Sequence, residues 1–294
     1  MTSSIPPKVH PVSQAGFGAT KAELYDAVRP YYPKEVVTHI RTALSVKDKL
    51  RIVEIASGTG KFTKSLVANL EWKKCLAELK CVEPNEGMRV VFTRTMDDPR
   101  VSLANGTFDN TGVPDNWADL VVVATAIHWC LDFEAAMNEF VRILKPDGVV
   151  CLVWNIEDPS RAAWLKQCYD ACLPKRENSP SSGKNMERWR EIFDLPVYKQ
   201  NFGSPEETTI RYSEPRTLDS IVALFMTWSG IAVLPEAEKE EVKDQIRAMI
   251  KRGDGLVWID KEQGIFEMPF VSQSVIFKRA SSPGDSRTST TARL

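Results

Sequence analysis

The sequence predicts an α/β fold. The expected architecture is a Rossmann-like, doubly wound, mostly parallel sheet of seven strands, with an N-terminal helical lid and a helical cap inserted before the last strand. Three observations predict it. Between residues 50 and 173, short and nearly all-apolar segments alternate with amphipathic ones. Strands covered by helices on both faces read as such continuous apolar runs. Ser57-Gly58-Thr59-Gly60 joins the first apolar segment to the helical pattern after it, at the place where an open parallel sheet binds its ligand. After residue 173 the rhythm changes, and two helical patterns precede a closing strand pattern.

Taken in order, residues 1–18 are rich in Pro, Ser and Gly and read as a flexible arm. "TKAELYDAVRPYYPKEVVTHIRTAL" reads as two helices, broken at "RPYYP" because proline disfavours helix in the residue before it. Then "RIVEIA" is a strand and "KFTKSLVANL" a helix; "ELKCVE" a strand and "NEGMRVVFTRT" a helix; "VSLANG" a short strand. "DLVVVAT" is a strand and "FEAAMNEFVRIL" a helix, stopped by the turn chemistry of "LKPDG". "GVVCLVWN" is a strand and "RAAWLKQCYDACL" a helix. "PKRENSPSSGKN" is a polar loop, "ERWREIF" a short helix and "ETTIRYS" a strand. "TLDSIVALFMTWSGIAVL" and "PEAEKEEVKDQIRAMIKRG" form the cap, over about residues 217–251, and "FEMPFVSQSVIFKR" is the last strand. The reading is one domain over residues 19–278, with its core motifs in 50–155 and a disordered tail over 279–294.

Composition narrows the function. The chain has 294 residues, is 43% hydrophobic and 26% charged, and carries a formal net charge of -1. No basic excess points to nucleic acid or an anionic membrane. The six cysteines form no C-x-x-C pair and read as reduced, mostly buried thiols. His10, His39 and His128 are too scattered to suggest a metal site. The N-terminus has no apolar core of signal-peptide type, and the longest apolar run is about half of a membrane span. These features predict a cytoplasmic protein. Ala292-Arg293-Leu294 also fits the small-basic-leucine pattern of peroxisomal targeting.

The glycine loop separates the cofactor classes. Glycines at a strand end let the backbone approach a ligand and donate N–H groups. Glu83 ends the second strand about twenty residues on, where an acid meets the two ribose hydroxyls. A dinucleotide fingerprint needs a third small residue, but Thr63 stands there after the bulky Phe62. A P-loop needs four residues between its glycines and then Lys-Ser or Lys-Thr, and Gly60-Lys61 is followed by Phe62. S-adenosylmethionine has no phosphates, a ribose for the acid and a zwitterionic tail for the loop. Glu54 is unusual within an apolar strand. It reads as holding the loop or the cofactor ammonium, or as a carboxylate satisfied by neighbouring backbone.

"VEIASGTGKFT", "CVEPNEGM", "NGTFDNTGVPDNWADLVVVATAIHW" and "RILKPDGVVCLVWN" together resemble the class I S-adenosylmethionine-dependent methyltransferases across roughly residues 50–155. "AELYDAVRPYYP" and the "HW" and "WN" pairs are similar to the branch that includes trans-aconitate methyltransferases and related fungal small-molecule enzymes. The resemblance implies that Ser57, Gly58 and Gly60 line the methionine side and that Glu83 takes the ribose hydroxyls. It implies that Phe108 and Asp109 frame adenine, and that Ala124, Thr125 and Ala126 sit beside the sulfonium. Two positions depart from the family pattern: Phe108 is bulky where a small residue is common, and Ala56-Ser57 replaces an acid.

Methyl transfer from a sulfonium is an in-line displacement that needs no metal, and none is expected. A carboxylate acceptor is ionised at neutral pH, whereas a hydroxyl, amine or thiol needs a base. His128 follows the fourth strand and is the candidate base or hydrogen-bond donor; it also reads as ordering its loop or packing on Trp129. Trp129, Trp154 and Trp228 read as pocket walls or as core. Arg29 reads as binding the cofactor carboxylate or an acidic substrate, or as an exposed helix end; Tyr25 and Tyr32 share its lid. A small molecule is the expected partner, and composition leaves the oligomeric state open. The competing readings are a nicotinamide-dependent oxidoreductase, a non-catalytic cofactor- or partner-binding domain, and a methyltransferase of RNA or protein.

Overall fold

A computed structural model describes residues 9–16, 18–176, 179–180 and 183–280. Helices α1 (Pro11–Gly16), α2 (Ala19–Val28) and α3 (Lys34–Thr42) come first. They are followed by β1 (Leu50–Ile55), α4 (Lys61–Ala68), α5 (Leu70–Cys75), β2 (Leu76–Val82), α6 (Glu86–Thr95) and β3 (Val101–Ala104). Next come β4 (Ala118–Ala124), α7 (Phe133–Ile143), β5 (Leu144–Glu157), α8 (Ala163–Cys172), α9 (Gly183–Met186) and α10 (Pro196–Asn201). The chain continues through β6 (Glu206–Thr217), α11 (Leu218–Met226), α12 (Ser229–Ala232), α13 (Glu236–Arg252), β7 (Trp258–Asp260) and β8 (Ile265–Lys278).

The sheet order is β3-β2-β1-β4-β5-β8-β6, with β7 paired to β8. Strands β1 to β5 pair in parallel. Only β8 opposes them: it is antiparallel to both β5 and β6, so β6 runs with β5. The sheet thus has eight strands where seven are expected. The additional strand, β7, is three residues long, too short for an alternation to reveal it. The order reverses between β1 and β4, and the crevice beyond their carboxyl ends is the switch point where such sheets bind ligands.

Alternation along each strand divides the core in two. Ile52, Leu120, Val122 and Cys151 pack against Phe62, Trp72 and Ile40 of the helices on one face. Val53, Val121, Leu152 and Trp154 pack against Phe140 and Trp189 on the other. Burial on both faces is why β1 and β4 read as continuous apolar runs. A third core, with Trp164, Phe225, Trp228 and Ile246, joins α8 and the cap to β8. All six cysteines are buried and unbridged, as expected.

Several local expectations change. The first cap segment is two helices, not one: the Thr227 hydroxyl bonds back to the Leu224 carbonyl (2.6 Å) and Trp228 is extended. Helix α11 starts with a capping box between Thr217 and Ser220. Helix α7 stops before "LKPDG" as expected, but β5 takes up directly at Leu144. Within the stretch read as an arm, α1 is regular structure, held where Asn85 Nδ2 donates to the Ser13 carbonyl (3.3 Å). Ala292-Arg293-Leu294 and the rest of the tail beyond residue 280 lie outside the described residues. Among the described residues, no helix is long and apolar enough to cross a membrane.

Candidate functional site

The turn after β1 is built from left-handed residues. Ala56, Gly58 and Gly60 have φ of +56°, +57° and +84°. A Cβ on Gly60 would meet the Phe92 ring at 2.8 Å, so that position requires glycine. The turn is tied to β2, because Ser57 N–H donates to the Val82 carbonyl (3.1 Å) and Gly58 N–H to Glu83 Oε2 (2.8 Å). Glu83 Oε1 accepts from Asn85 N–H (2.8 Å). Burial pushes the Glu83 carboxyl up to about 6, against the opposing pull of these two N–H groups and Arg89. A carboxylate has about four acceptor sites, so Glu83 retains capacity for two ligand hydroxyls.

Three polar atoms in this cradle are buried without a hydrogen-bond partner: Glu54 Oε1, Ser57 Oγ and Thr59 Oγ1. Glu54 is 1% exposed, and its other oxygen accepts from the Thr63 hydroxyl (2.5 Å). Burial pushes Glu54 up to about 8. Orphaned buried acceptors are costly, which makes them markers of a missing ligand. Here they suit an ammonium and hydroxyl-rich group. Two acids on the wall oppose a diphosphate, and Thr63, which stands in place of the third glycine, is bonded to Glu54. A nicotinamide dinucleotide therefore fits these residues poorly, whereas S-adenosylmethionine fits them.

The cavity over the cradle brings together Glu54, Ser57, Gly58, Glu83, Phe108, Ala124, Thr125 and Trp129, with Tyr25 and Tyr32 from the lid. The Tyr32 hydroxyl pairs with Thr125 Oγ1 (2.6 Å), which latches the lid to the end of β4. Gly60 shapes the turn from behind and does not line the cavity.

Other expected residues lie elsewhere. Asp109 accepts from the Thr107 hydroxyl (2.7 Å) and faces a small adjoining pocket with Cys130 and Asp132; the side chain reaching the main cavity there is Phe108. Arg29 is a clasp: Nε donates to Thr227 Oγ1 (2.9 Å), and Nη1 lies 3.7 Å from Glu157 Oε1. Trp154 is core, 5.0 Å from the Trp189 ring, and Trp228 packs 4.3 Å from Phe225. His128 sits on the short 3-10 turn Ile127–Trp129, only 8% exposed and 5.3 Å from the Trp129 ring, and does not line the cavity.

Among the cavity residues that the sequence reading did not assign to the site, two carry titratable side chains, His10 and Lys61. His10 meets Trp129 edge-on (5.4 Å) and accepts at Nδ1 from Val12 N–H (3.2 Å). That bond leaves the proton of the neutral ring on Nε2, and burial lowers the imidazole's proton affinity. Lys61, the first residue of α4, is 8% exposed, with Nζ 3.9 Å from the Tyr31 ring centre. Burial lowers Lys61 to about 8. A cation directly after Gly60 was its available signal in the sequence.

Comparison with known proteins agrees with this geometry. Residues 53–152 match the model of a methyltransferase domain family. An uncharacterised methyltransferase-like protein of Schizosaccharomyces pombe is 30% identical over 227 residues, 77% of this chain and 83% of its own length. An uncharacterised methyltransferase of Mycobacterium bovis is 26% identical over 77% of this chain and 82% of its own. Among solved structures, a protein described as a type II methyltransferase of Anaeromyxobacter dehalogenans superposes with TM-score 0.56 at 18% identity, covering 86% of this chain and 97% of that one. The phosphoethanolamine N-methyltransferase 2 of Haemonchus contortus does so with TM-score 0.53 at 14% identity, covering 92% and 59%. At these identities the two structures speak for the fold.

Proposed function

The chain belongs to the class I S-adenosylmethionine-dependent methyltransferases, and from that premise we propose that it methylates a small molecule, a carboxylic acid, by in-line transfer. When bound, S-adenosylmethionine supplies a methyl group already activated on a sulfonium. The protein's part is then to bind, orient and exclude water. Glu83 would take the ribose hydroxyls, Glu54 the ammonium, and Phe108 one face of the adenine. Tyr25 and Tyr32 would close over the reacting end.

One observation carries the choice of acceptor. Beside Ala124 to Ala126 the wall offers the Tyr25, Tyr32 and Thr125 hydroxyls and the Trp129 ring. The base expected there, His128, does not line it, and the His10 imidazole, which lies edge-on to Trp129, has its Nδ1 lone pair taken by Val12 N–H. Burial holds the Tyr25 and Tyr32 phenols above their ordinary range, so both stay neutral donors. An acceptor already ionised at neutral pH suits such a wall, and a carboxylate is one. The resemblance to the trans-aconitate branch favours the same class.

The test is to incubate the protein with S-adenosylmethionine and a set of carboxylic acids, phenols and amines, and to identify products by mass. Methyl esters formed from acids, with no products from phenols or amines, are expected. Methylation confined to phenols or amines would overturn the carboxylate assignment. Binding of NAD in place of S-adenosylmethionine would overturn the whole reading.

A further inference from the structure

The residue directly after β4 has a strained backbone. Thr125 has φ of +50°, in the left-handed region that a branched Cβ rarely adopts. Such strain persists only where the surroundings over-determine it, and it gathers at functional sites. Here the neighbours are well defined. Thr125 N–H donates to the Val153 carbonyl (2.6 Å). Thr125 Oγ1 pairs with the Tyr32 hydroxyl (2.6 Å) and accepts from Asn155 N–H (3.4 Å). The Asn155 side chain is fixed in turn: Nδ2 donates to the Tyr31 carbonyl (3.1 Å), and Oδ1 accepts from the Ser272 hydroxyl. The bond from Asn155 to Tyr31 already ties this corner of the lid to the sheet. The strain at Thr125 is therefore explained by where it puts the hydroxyl pair, not by closure alone.

That pair faces the cavity. Tyr32 and Thr125 both line it, on the wall that Ala124 begins. The Tyr32 ring is buried and meets the Phe62 ring edge-on (5.2 Å), so packing sets where its hydroxyl sits. The direction of the hydrogen bonds follows from the groups. A backbone N–H only donates, so Asn155 gives its proton to Thr125 Oγ1. A hydroxyl donates one proton and accepts at two lone pairs. Thr125 can then donate to Tyr32 Oη, which leaves the phenol proton for the cavity. A group that only accepts selects this sense, and a carboxylate is such a group. Each bond in the chain polarises the next and strengthens the donor at its end.

We propose that Tyr32 donates its phenol proton to one oxygen of the acceptor's carboxylate, with Thr125 as the positioning residue that aims it. The proposal rests on the carboxylate reading of the cavity and names the residue that selects for that class. The other carboxylate oxygen attacks the methyl carbon. An oxygen–carbon bond forms as the carbon–sulfur bond breaks, and the bonding pair of the latter stays on sulfur. The negative charge of the acid and the positive charge of the sulfonium cancel. No proton is transferred, so Tyr32 keeps its own throughout. Its bond weakens as the acid loses charge, which favours release of the ester.

The test is calorimetric titration of the protein saturated with S-adenosylhomocysteine. The probes are the dicarboxylates from malonate to adipate, citrate and benzoate, each beside its uncharged amide. At least one acid is expected to bind with Kd below about 1 mM, and its amide about tenfold more weakly or worse. In Tyr32→Phe that preference for acid over amide should fall by about tenfold, the scale of one hydrogen bond to a charged group. Thr125→Val keeps the branched Cβ and removes the hydroxyl. It should lower the preference by about threefold or more, and Thr125→Ser should hold it within about twofold of wild type. A lid that is merely loosened would weaken acid and amide alike. An unchanged preference in the folded Tyr32→Phe protein would therefore overturn the proposal and leave the carboxylate reading standing. Loss of the preference in Tyr32→Phe with none in Thr125→Val would overturn the role of Thr125. Binding of no acid by the unaltered protein would overturn both the proposal and the reading beneath it. Methylation confined to phenols or amines in the product assay would show that the reading itself had failed.

Discussion

Replacing Glu54 by Gln keeps an oxygen for the Thr63 hydroxyl and puts an uncharged amide where Oε1 has no partner. Glu54 ionises at about 8 in the folded protein because it is buried, against 4.5 for an ordinary glutamate. The folded state therefore holds this proton across a window in which the unfolded chain has lost it. Stability from the group is complete below pH 4.5 and is lost as pH rises through 8. At ~1.4 kcal/mol for each tenfold change in proton affinity, the loss is on the order of 4–5 kcal/mol. Gln cannot ionise and loses none of it. Urea unfolding of both proteins at pH 5 and pH 8.5, in the absence of ligand, reads the difference directly. The variant should gain several kcal/mol relative to the wild type between the two conditions. A gap that stays constant within ~0.5 kcal/mol would refute the buried, proton-holding carboxyl. The same physics applies to ligand binding. An ammonium beside Glu54 favours the ionised form, so S-adenosylhomocysteine should release a proton near pH 7 from the wild type and none from Glu54→Gln. Calorimetry in buffers of different ionisation heat measures that release.

Other perturbations test separate parts of the site. Glu83→Gln must turn an NH2 toward Gly58 N–H or Asn85 N–H, and it weakens two hydrogen bonds to the ribose. At ~1.5–3 kcal/mol for each charge-assisted bond, S-adenosylhomocysteine should bind a hundredfold or more weakly, and affinity within threefold of wild type would exclude the ribose role. Gly60→Ala places a Cβ 2.8 Å from the Phe92 ring at φ +84°. A loss of about 1–3 kcal/mol is expected, seen as a fall of several degrees in Tm, and an unchanged Tm would contradict the close approach. Arg29→Ala severs the clasp to Thr227 and Glu157. It should cost about 1–3 kcal/mol in unfolding while moving S-adenosylhomocysteine affinity less than about threefold. A large affinity loss at full stability would make Arg29 a ligand residue after all.

Much of the cradle was legible because its signals are local. Apolar runs marked β1, β2 and β4, glycine marked the left-handed turn, and spacing from that turn marked Glu83. What escaped depends on contacts distant in sequence or on rotation within a short element. Arg29 reads as an exposed helix end until Thr227, 198 residues away, closes on it. His128 follows β4 as a catalytic base would, but the 3-10 turn Ile127–Trp129 directs Trp129 to the cavity and buries the imidazole. Trp154 was legible in principle. Period-two alternation groups it with Val150 and Leu152, which face the same core.

The most direct test is a crystal structure of the protein with S-adenosylhomocysteine. The expected complex has both ribose hydroxyls on Glu83, the ammonium at Glu54 Oε1, adenine against Phe108 and the sulfur beside Thr125. Nucleoside bound away from the Ser57–Gly60 turn, or a cavity that takes no nucleoside at all, would contradict the assignment of this site.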